Sequence, residues 1–348
     1  MSRPRMTYAR AGVDIGKISA AHKALARKLE RTFRTRRGRI GRPIFPIGHY
    51  AGLIDIGHDQ VLSLHTDNVG TKMIIAHMMK KFDTVGIDCV AVCANDLICT
   101  GSEPVAFLDH ISLASSDHVL VSQIAEGIAK GAAEAGMAVV GGETAITPDL
   151  LQGQVGDLIG MAVGICSRHN LVLGDKVRRG DVLVGVASSG IHSNGLTLAR
   201  KILLKNHNLR DRVPELGKTL SQELLEPTRI YVKPVMELLK RLEVHGLAHI
   251  TGGAFSKLDR VVSQSKLGAN LDDLPHPPSI FRLIQKEGRV TKREMYRTFN
   301  MGIGFVAICP ESEADHALRI FDRHSQQAFN VGRVDEKAGI RVRGRRVS

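Results

Sequence analysis

Apolar and polar residues follow two periods along this chain, one typical of strands and one typical of helices. Short apolar runs predict strands at residues 51–56, 60–64, 105–112, 137–140, 158–166, 182–187 and 305–308. Apolar residues at helical spacing predict helices at residues 19–31, 85–99, 115–136, 196–204, 235–242 and 313–323. The order lacks the regular rhythm of a doubly wound parallel sheet, so the pattern predicts an α+β fold.

The composition changes between Arg168 and Asp181, where polar residues and glycines mark a connection. A chain of 348 residues suits two domains, each large enough to bury its own core. We therefore predict an N-terminal domain at residues 1–167 and a C-terminal domain at residues 168–348.

No segment of the sequence has the character of a membrane span or a secretory leader. The basic N-terminus lacks the apolar run of a signal peptide, and no apolar stretch approaches bilayer length. The five cysteines form no C-x-x-C pair, which favours buried, reduced thiols. We expect a cytoplasmic protein with no membrane partner.

The formal net charge of +13 calls for an acidic partner. The densest basic blocks are Arg31–Arg42 and Arg341–Arg346. The chain has no Trp and only four Tyr, which argues against a base-stacking platform and hence against dedicated nucleic-acid binding. Phosphorylated small molecules or a solvated surface explain the charge at least as well.

The residues His65–Lys72, with the sequence H-T-D-N-V-G-T-K, lie where a predicted strand ends and a helical pattern begins. A carboxylate at that position, Asp67, can hold a metal, and Asn68 and Gly70 tolerate the left-handed backbone that turns amide N–H groups towards a phosphate. Lys72 could neutralise the same anion. The other interpretation is a tight turn with an acid near a helix N-terminus.

Two further carboxylates favour the interpretation as a Mg-nucleotide site. Asp96 follows Asn95 on the predicted helix 85–99, where it lies two turns after Asp88 among apolar neighbours and needs a partner. Glu143 follows Gly141 and Gly142 at the end of the predicted strand 137–140, which we expect to be buried.

The second half repeats one arrangement, in which small or glycine residues separate a strand from a helix. Such turns expose amide N–H groups that accept anions. The first carries His192, Ser193 and Asn194, and the second carries His249, Gly252 and Gly253. Arg297 is a further candidate for binding phosphate.

With these pieces assembled, the chain resembles the aminoimidazole ribonucleotide synthetase family, and the likeness runs nearly end to end. It rests on T-D-x-V-G-T-K (66–72), V-G-I-D-C-V-A-V-C-A-N-D-L (85–97), G-G-E-T-A (141–145), S-S-G-I-H-S-N-G (188–195), P-T-R-I-Y-V-K (227–233), A-H-I-T-G-G (248–253) and M-Y-R-T-F-N-M-G-I-G (295–304).

The resemblance implies ATP-dependent ring closure of formylglycinamidine ribonucleotide in purine biosynthesis. It also implies a homodimer whose first domains pair their sheets into a barrel, with the second domain completing the cleft. Mg²⁺ on ATP would be held by Asp67, Asp96 and Glu143. The residues expected at ATP or phosphate are Asp67, Asn68, Gly70, Thr71, Lys72, Asn95, Gly141, Gly142, Ser193, Asn194, Gly252, Gly253 and Arg297. Lys72, His192 and His249 are the catalytic candidates, the histidines for proton transfer or for binding the substrate's phosphate.

The sequence departs from the family at Asn68 and Ala254, where glycine is common, and in residues 38–52, which lack a glycine-rich run. We expect Ala254 to be unable to take a positive φ without strain. Two alternative functions are another ATP-dependent phosphoryl transferase of the same superfamily and a basic RNA-associated protein with an inactive enzyme fold.

Overall fold

The computed structural model describes residues 5–151 and 156–347. Its helices are α1 (Ile15–Leu29), α2 (Lys72–Met79), α3 (Asp83–Ile98), α4 (His118–Ala135), α5 (Leu196–Leu203), α6 (Leu220–Leu224), α7 (Val232–Arg241), α8 (Asp259–Val262), α9 (Ser279–Gly288), α10 (Lys292–Thr298) and α11 (Glu311–Arg323). The strands of the first half are β1 (Arg42–Pro43), β2 (Gly52–Gly57), β3 (Gln60–Asn68), β4 (Glu103–Leu113), β5 (Ala138–Ile146) and β6 (Asp157–Ser167). Those of the second half are β7 (Val182–Ala187), β8 (Arg212–Val213), β9 (Lys218–Thr219), β10 (Gly246–His249), β11 (Gly268–Leu271), β12 (Ile303–Cys309), β13 (Ala328–Asp335), β14 (Gly339–Val342) and β15 (Arg345–Arg346).

The first half forms a six-stranded sheet in the order β1-β2-β3-β6-β4-β5. Its neighbours pair antiparallel except β4 and β5, which are parallel. Along β6 the residues alternate between buried and partly or fully exposed, so one face packs on the core beneath α3 and the other faces outwards. This mixed sheet confirms the α+β prediction.

The second half forms a seven-stranded sheet in the order β10-β12-β7-β13-β11-β14-β15. Both faces of β7 and β12 are covered, which explains their uninterrupted apolar sequences. The predicted boundary between residues 167 and 168 falls between the last strand of the first sheet and the first strand of the second. No helix within 5–151 and 156–347 is both long and apolar enough to cross a bilayer.

The two halves meet along α3, which is buried over nearly its whole length. One side of α3 packs on α4, β3 and β6, and another contacts α7 and β10 of the second half. Apolar residues of both halves form one continuous core around it. Polar side chains on α3 therefore lie at the junction of the two halves.

Gly127 and Gly131 of α4 lie against another helix, α3. Helical periodicity shows which face is close-packed but not what packs there. A Cβ on Gly127 would lie 2.2 Å from the carbonyl oxygen of Asp83, and one on Gly131 would lie 3.1 Å from the Cβ of Val90.

We expect Gly127→Ala to destabilise the protein by about 1–3 kcal/mol, because two backbones must separate to admit one methyl group. Chemical denaturation of the variant measures this. Gly16→Ala in the exposed α1 is the control and should change stability little or raise it. Gly180→Ala would not serve as a control, because Gly180 has a positive φ. Equal stability of Gly127→Ala and wild type would contradict the close helix contact.

Two other predicted elements differ in the structure. Strand β5 continues through Gly141, Gly142 and Glu143 to Ile146, and nearly all of it is exposed, so the prediction of a buried strand ending at Val140 is wrong. Helix α7 begins at Val232, three residues before the predicted start, because Pro234 is tolerated within a helix's first turn.

Candidate active site

Asp96, on the last turn of α3, is buried between histidines from both halves. Its Oδ1 accepts a hydrogen bond from His249 Nδ1 at 2.7 Å, and its Oδ2 lies 3.5 Å from His65 Nε2. Burial would raise the pKa of Asp96, but the neighbouring His65 and His249 outweigh it and hold the pKa below its usual value. Asp96 therefore stays a carboxylate, and it places the proton of His249 on Nδ1.

Asp67 lies one residue before the end of β3, as predicted. It shares the inner face of the sheet with His65, two residues earlier, and its Oδ1 accepts from the Asn68 N–H at 2.8 Å. Burial raises the pKa of Asp67, and the negative charge of Asp96 raises it further. The structure thus brings Asp67 and Asp96 together as two acids that repel each other.

Two such carboxylates fit Mg²⁺, which in nucleotide sites is held by one or two carboxylates together with phosphate oxygens. A cation between them would relieve the repulsion that raises the pKa of Asp67. Among residues 5–151 and 156–347, no three His, Cys, Asp or Glu side chains lie close enough together to hold a metal ion by themselves.

The structure does not bring Glu143 to this pair. Glu143 pairs across β5 and β4 with His110, His110 pairs with Ile159, and Ile159 pairs with Asn68. Glu143 is therefore three strands away, about 14 Å, and on the face opposite to Asp67, because adjacent residues of a strand point to opposite sides. Gly141 and Gly142 lie beside it on the exposed β5.

Lys72 makes two polar contacts, both inside the protein. Its side chain is fully buried, with Nζ 2.6 Å from Asp88 Oδ2 and donating to the Glu226 carbonyl oxygen at 2.6 Å. The prediction placed this ammonium at a phosphate, whereas in the structure its partners are Asp88 and Glu226. No local pattern predicts this pair, because its two partners lie sixteen residues apart in the sequence.

His192 lies in a braced loop between β7 and α5. It has a positive φ of 63°, and its Nε2 accepts from the Ser189 N–H at 3.2 Å, which places its proton on Nδ1. Nδ1 is buried and has no hydrogen-bond partner in the part of the chain that the structure describes. Burial, then the charges of His249 and Lys72, hold the pKa of His192 well below its ordinary value, so the ring stays neutral.

The two glycine-containing turns of the second half lie side by side. A Cβ on Gly252 would lie 2.9 Å from the Asn194 side chain, so the turn of residues 188–195 touches the turn that contains Gly252 and Gly253. Gly253 has a φ of +87°, and Ala254 follows with a φ of +46°. Ala254 does adopt the positive φ that we expected to be strained there.

We expect Ala254→Gly to stabilise the protein by roughly 0.5–1 kcal/mol, because relief of left-handed strain exceeds the added entropy of the unfolded chain. Denaturant titration measures the gain. Ala199→Gly, in the buried interior of α5, serves as the opposite control and should destabilise by about 1 kcal/mol. A lower stability of Ala254→Gly than of wild type would contradict the backbone strain inferred at Ala254.

The remaining predicted residues are divided between the junction and other parts of the two halves. Asn95 accepts from the Tyr231 N–H at 2.9 Å and donates to the Arg229 carbonyl oxygen at 2.8 Å, so it ties α3 to the second half. Thr71 contacts Thr197 through their hydroxyl groups at 2.9 Å, and Gly70 has the predicted positive φ. Asn68 does not take the left-handed conformation considered for it: it ends β3 on the outer face, and its amide donates to Asp157. Arg297 is half-buried near the end of α10.

Sequence reasoning missed a group of cations and aromatic residues beside the acids. Lys257 follows the second glycine turn, where burial and the charge of Arg260 lower its pKa to about 8 against the opposing attraction of Asp96 and Asp67. Arg260 lies over the ring of Tyr50, 5.3 Å from its centre. Tyr50 donates to the His249 carbonyl oxygen at 3.4 Å. A basic residue closely following a glycine turn was the available signal for Lys257.

The fold and this junction define a two-domain α+β protein whose candidate site joins carboxylates of one domain to histidine-bearing turns of the other. The N-terminal domain described as "AIR synthase related protein" matches residues 48–166, and the corresponding C-terminal domain matches residues 178–345. A phosphoribosylformylglycinamidine cyclo-ligase of Thermococcus kodakarensis is 48% identical over 337 residues, which cover 97% of this chain and 98% of that protein. The chain therefore belongs to the AIR synthase family.

Solved structures with similar folds have much lower identity. A thiamine-monophosphate kinase from Stenotrophomonas maltophilia superposes with a TM-score of 0.65 at 19% identity, covering 91% of this chain and 96% of that one. A hydrogenase maturation protein HypE in complex with ATP superposes with a TM-score of 0.60 at 18% identity, covering 79% and 76%. These likenesses concern the fold.

Proposed function

We propose that the protein closes the imidazole ring of aminoimidazole ribonucleotide from formylglycinamidine ribonucleotide, with ATP converted to ADP and phosphate. The observation that carries the proposal is the 48% identity to a cyclo-ligase over nearly the whole chain. The buried carboxylates and histidines at the junction of the halves supply groups suited to that chemistry. We place the enzyme in the cytoplasm, where purine precursors are made.

The reaction must make a poor electrophile reactive. Transfer of the γ-phosphoryl group to the amide oxygen gives an imidoyl phosphate, and attack by the internal nitrogen on the same carbon closes the ring and expels phosphate. The protein's part is positioning and charge neutralisation. Mg²⁺ held by Asp67 and Asp96 would offset the charge of the ATP phosphates.

The hydrogen bonds of the two histidines favour different roles for them. Asp96 fixes the His249 proton on Nδ1, which leaves the buried Nε2 as an acceptor that lies 3.5 Å from the Asn95 amide nitrogen. We assign this Nε2 the role of taking the proton that the ring nitrogen loses. His192 carries its proton on a buried, unpaired Nδ1, which suits donation to an anionic oxygen of the substrate. Lys257, which interacts with Asp96 and Asp67, would add positive charge beside the phosphates.

We further propose a homodimer in which the outer faces of two first sheets pair to form a barrel. The outward residues of β6 are Ile159, Met161, Val163 and Ile165, and Leu62, Leu64 and Leu108 flank them. Met161 is 40% and Ile165 is 37% exposed in the single chain. A sheet face of this composition is seldom left to water, and a second copy offers a matching apolar face.

A single assay tests the function. The protein is incubated with Mg²⁺, ATP and formylglycinamidine ribonucleotide, and ADP and aminoimidazole ribonucleotide are measured by chromatography; we expect equal amounts of both. ADP that appears only with a different acceptor would favour another phosphoryl transferase. Salt-sensitive retention of RNA without turnover would favour the inactive, RNA-associated alternative.

A further inference from the structure

Asp88, at the middle of α3, receives more polar contacts than a buried ion pair requires. Its Oδ1 accepts from the Thr228 N–H at 2.7 Å, from the Thr228 hydroxyl at 2.5 Å and from the Ser193 hydroxyl at 3.1 Å. Its Oδ2 lies 2.6 Å from the Lys72 ammonium. Both charged side chains are fully buried.

These contacts join one helix of the first half to two segments of the second half. Ser193 directly follows His192, and Thr228 begins the segment that Asn95 holds farther along the same helix. Asp88 and Asn95 lie seven residues apart, so they project from one side of α3, with Asp96 beside Asn95. One helical face therefore fixes both the acid of the site and the position of the His192 loop.

The His192 loop is braced from its other side as well. Asn300 donates to the carbonyl oxygens of Gly190 and Ile191 at 2.9 and 3.2 Å, and its Oδ1 accepts from the Ser188 hydroxyl at 3.2 Å. Asn300 belongs to the second half, so it cannot set the loop's position relative to the first. Asp88 provides that link.

We propose that Asp88 is a positioning residue: through Ser193 and Thr228 it holds the His192 loop in register with the Asp67–Asp96 pair on the other half. Lys72 balances its charge so that the carboxylate can be buried. The inference rests on the proposed function, because register matters where a phosphoryl acceptor bound by one half must meet ATP bound by the other. A misplacement of about 1 Å lowers turnover by up to about a hundredfold in such sites.

The structural alternative is that Asp88 and Lys72 merely neutralise each other in the core. A buried ion pair can be replaced by apolar residues without loss of stability, whereas removal of one partner leaves a buried charge. A test must therefore remove both charges and vary only the acceptor that Thr228 and Ser193 use.

The experiment compares Asp88→Asn/Lys72→Met with Asp88→Leu/Lys72→Met. Asparagine and leucine are similar in shape, and both double variants lack the charges, but only asparagine can still accept from Thr228 and Ser193. We expect the kcat of the leucine variant to be about ten- to a hundredfold below that of the asparagine variant, with their KM values for ATP within about threefold of each other. Equal kcat values for two folded variants would overturn the proposal.

Ser193→Ala keeps the ion pair and provides a test even if a double variant fails to fold. We expect a kcat about fivefold lower in a protein that still folds, since one of two anchors is lost. A wild-type kcat in Ser193→Ala and in Thr228→Val would overturn the inference. The wild-type protein is assayed alongside the variants. If the proposed function is wrong, the wild-type protein itself will show no ring closure.

Discussion

Asp96→Asn is expected to lower kcat/KM for ring closure by about 10²–10³-fold, while the protein still folds. The asparagine keeps an oxygen that accepts from His249 Nδ1, so the orientation of that ring survives. It removes the negative charge that faces His65 and Lys257 and that would hold a cation with Asp67. Steady-state kinetics with ATP and formylglycinamidine ribonucleotide measure the loss.

The pH dependence of stability provides an independent readout of the same charge. The pKa of Asp96 is lower in the folded protein than in the unfolded chain, so its ionisation contributes stability above the ordinary carboxyl range, and this contribution is lost as pH falls. Asp96→Asn should therefore lose less stability than wild type on acidification. Asp83→Asn, in the first turn of the same helix and partly exposed, is the matched control and should leave kcat unchanged.

A folded Asp96→Asn protein with activity within about threefold of wild type would remove the carboxylate pair from the mechanism. Nucleotide binding by the variant separates the remaining explanations. If ATP binds normally in the presence of Mg²⁺ but turnover is lost, the charge acts in the reaction; if binding weakens in parallel, it acts on the bound nucleotide.

Local signals predicted much of the first half. Helix α4 has its N-cap at Asp117, whose side chain accepts from the Leu120 N–H, and its C-cap at Gly136 in left-handed conformation. Both residues were recognisable because their roles depend on neighbours in sequence. Asp67 at a strand's end was predictable for the same reason, since the change from strand to helix period is local.

Partners distant in sequence were not predictable from local pattern. The apolar run around Val139 and Val140 has the composition of a buried strand, yet β5 is the outermost strand and exposed, because nothing in the described part of this chain covers it. Lys72 lies in a motif that resembles a phosphate-binding turn, but it forms an ion pair with Asp88. Glu143 follows a glycine pair at a strand, and only the sheet register reveals that it points away from Asp67.

The sequence therefore predicted several residues of the candidate site but not how they are arranged. Asp96 and His249 were identified separately, and their 2.7 Å contact joins residues 153 positions apart. Lys257 and Tyr50 were not predicted, because they join the site only by packing around that contact. Residues drawn from both halves make the site a property of the junction.

Met161→Glu is expected to dissociate the proposed dimer, raising its dissociation constant at least about a thousandfold, because each copy would bury an unpaired carboxylate. Met161 projects from the outer face of β6 and is 40% exposed in the single chain, so each subunit should still fold. Light scattering coupled to size-exclusion chromatography measures the mass. Val119→Glu, on the exposed first turn of α4, introduces the same charge away from the sheet and should leave a dimer.

Activity should also fall when the dimer dissociates, if the barrel stabilises the strand that carries Asp67. Asp67 and Thr66 are neighbours on β3, and Thr66 lies directly across from Met161 on the outer face. A sheet that loses its covering partner would be free to flex where Asp67 is held, so we expect Met161→Glu to lose at least about tenfold in kcat at concentrations where Val119→Glu stays dimeric. A monomeric wild-type protein with full activity would refute the dimer, whereas a monomeric and fully active Met161→Glu protein would show that each subunit carries a complete site.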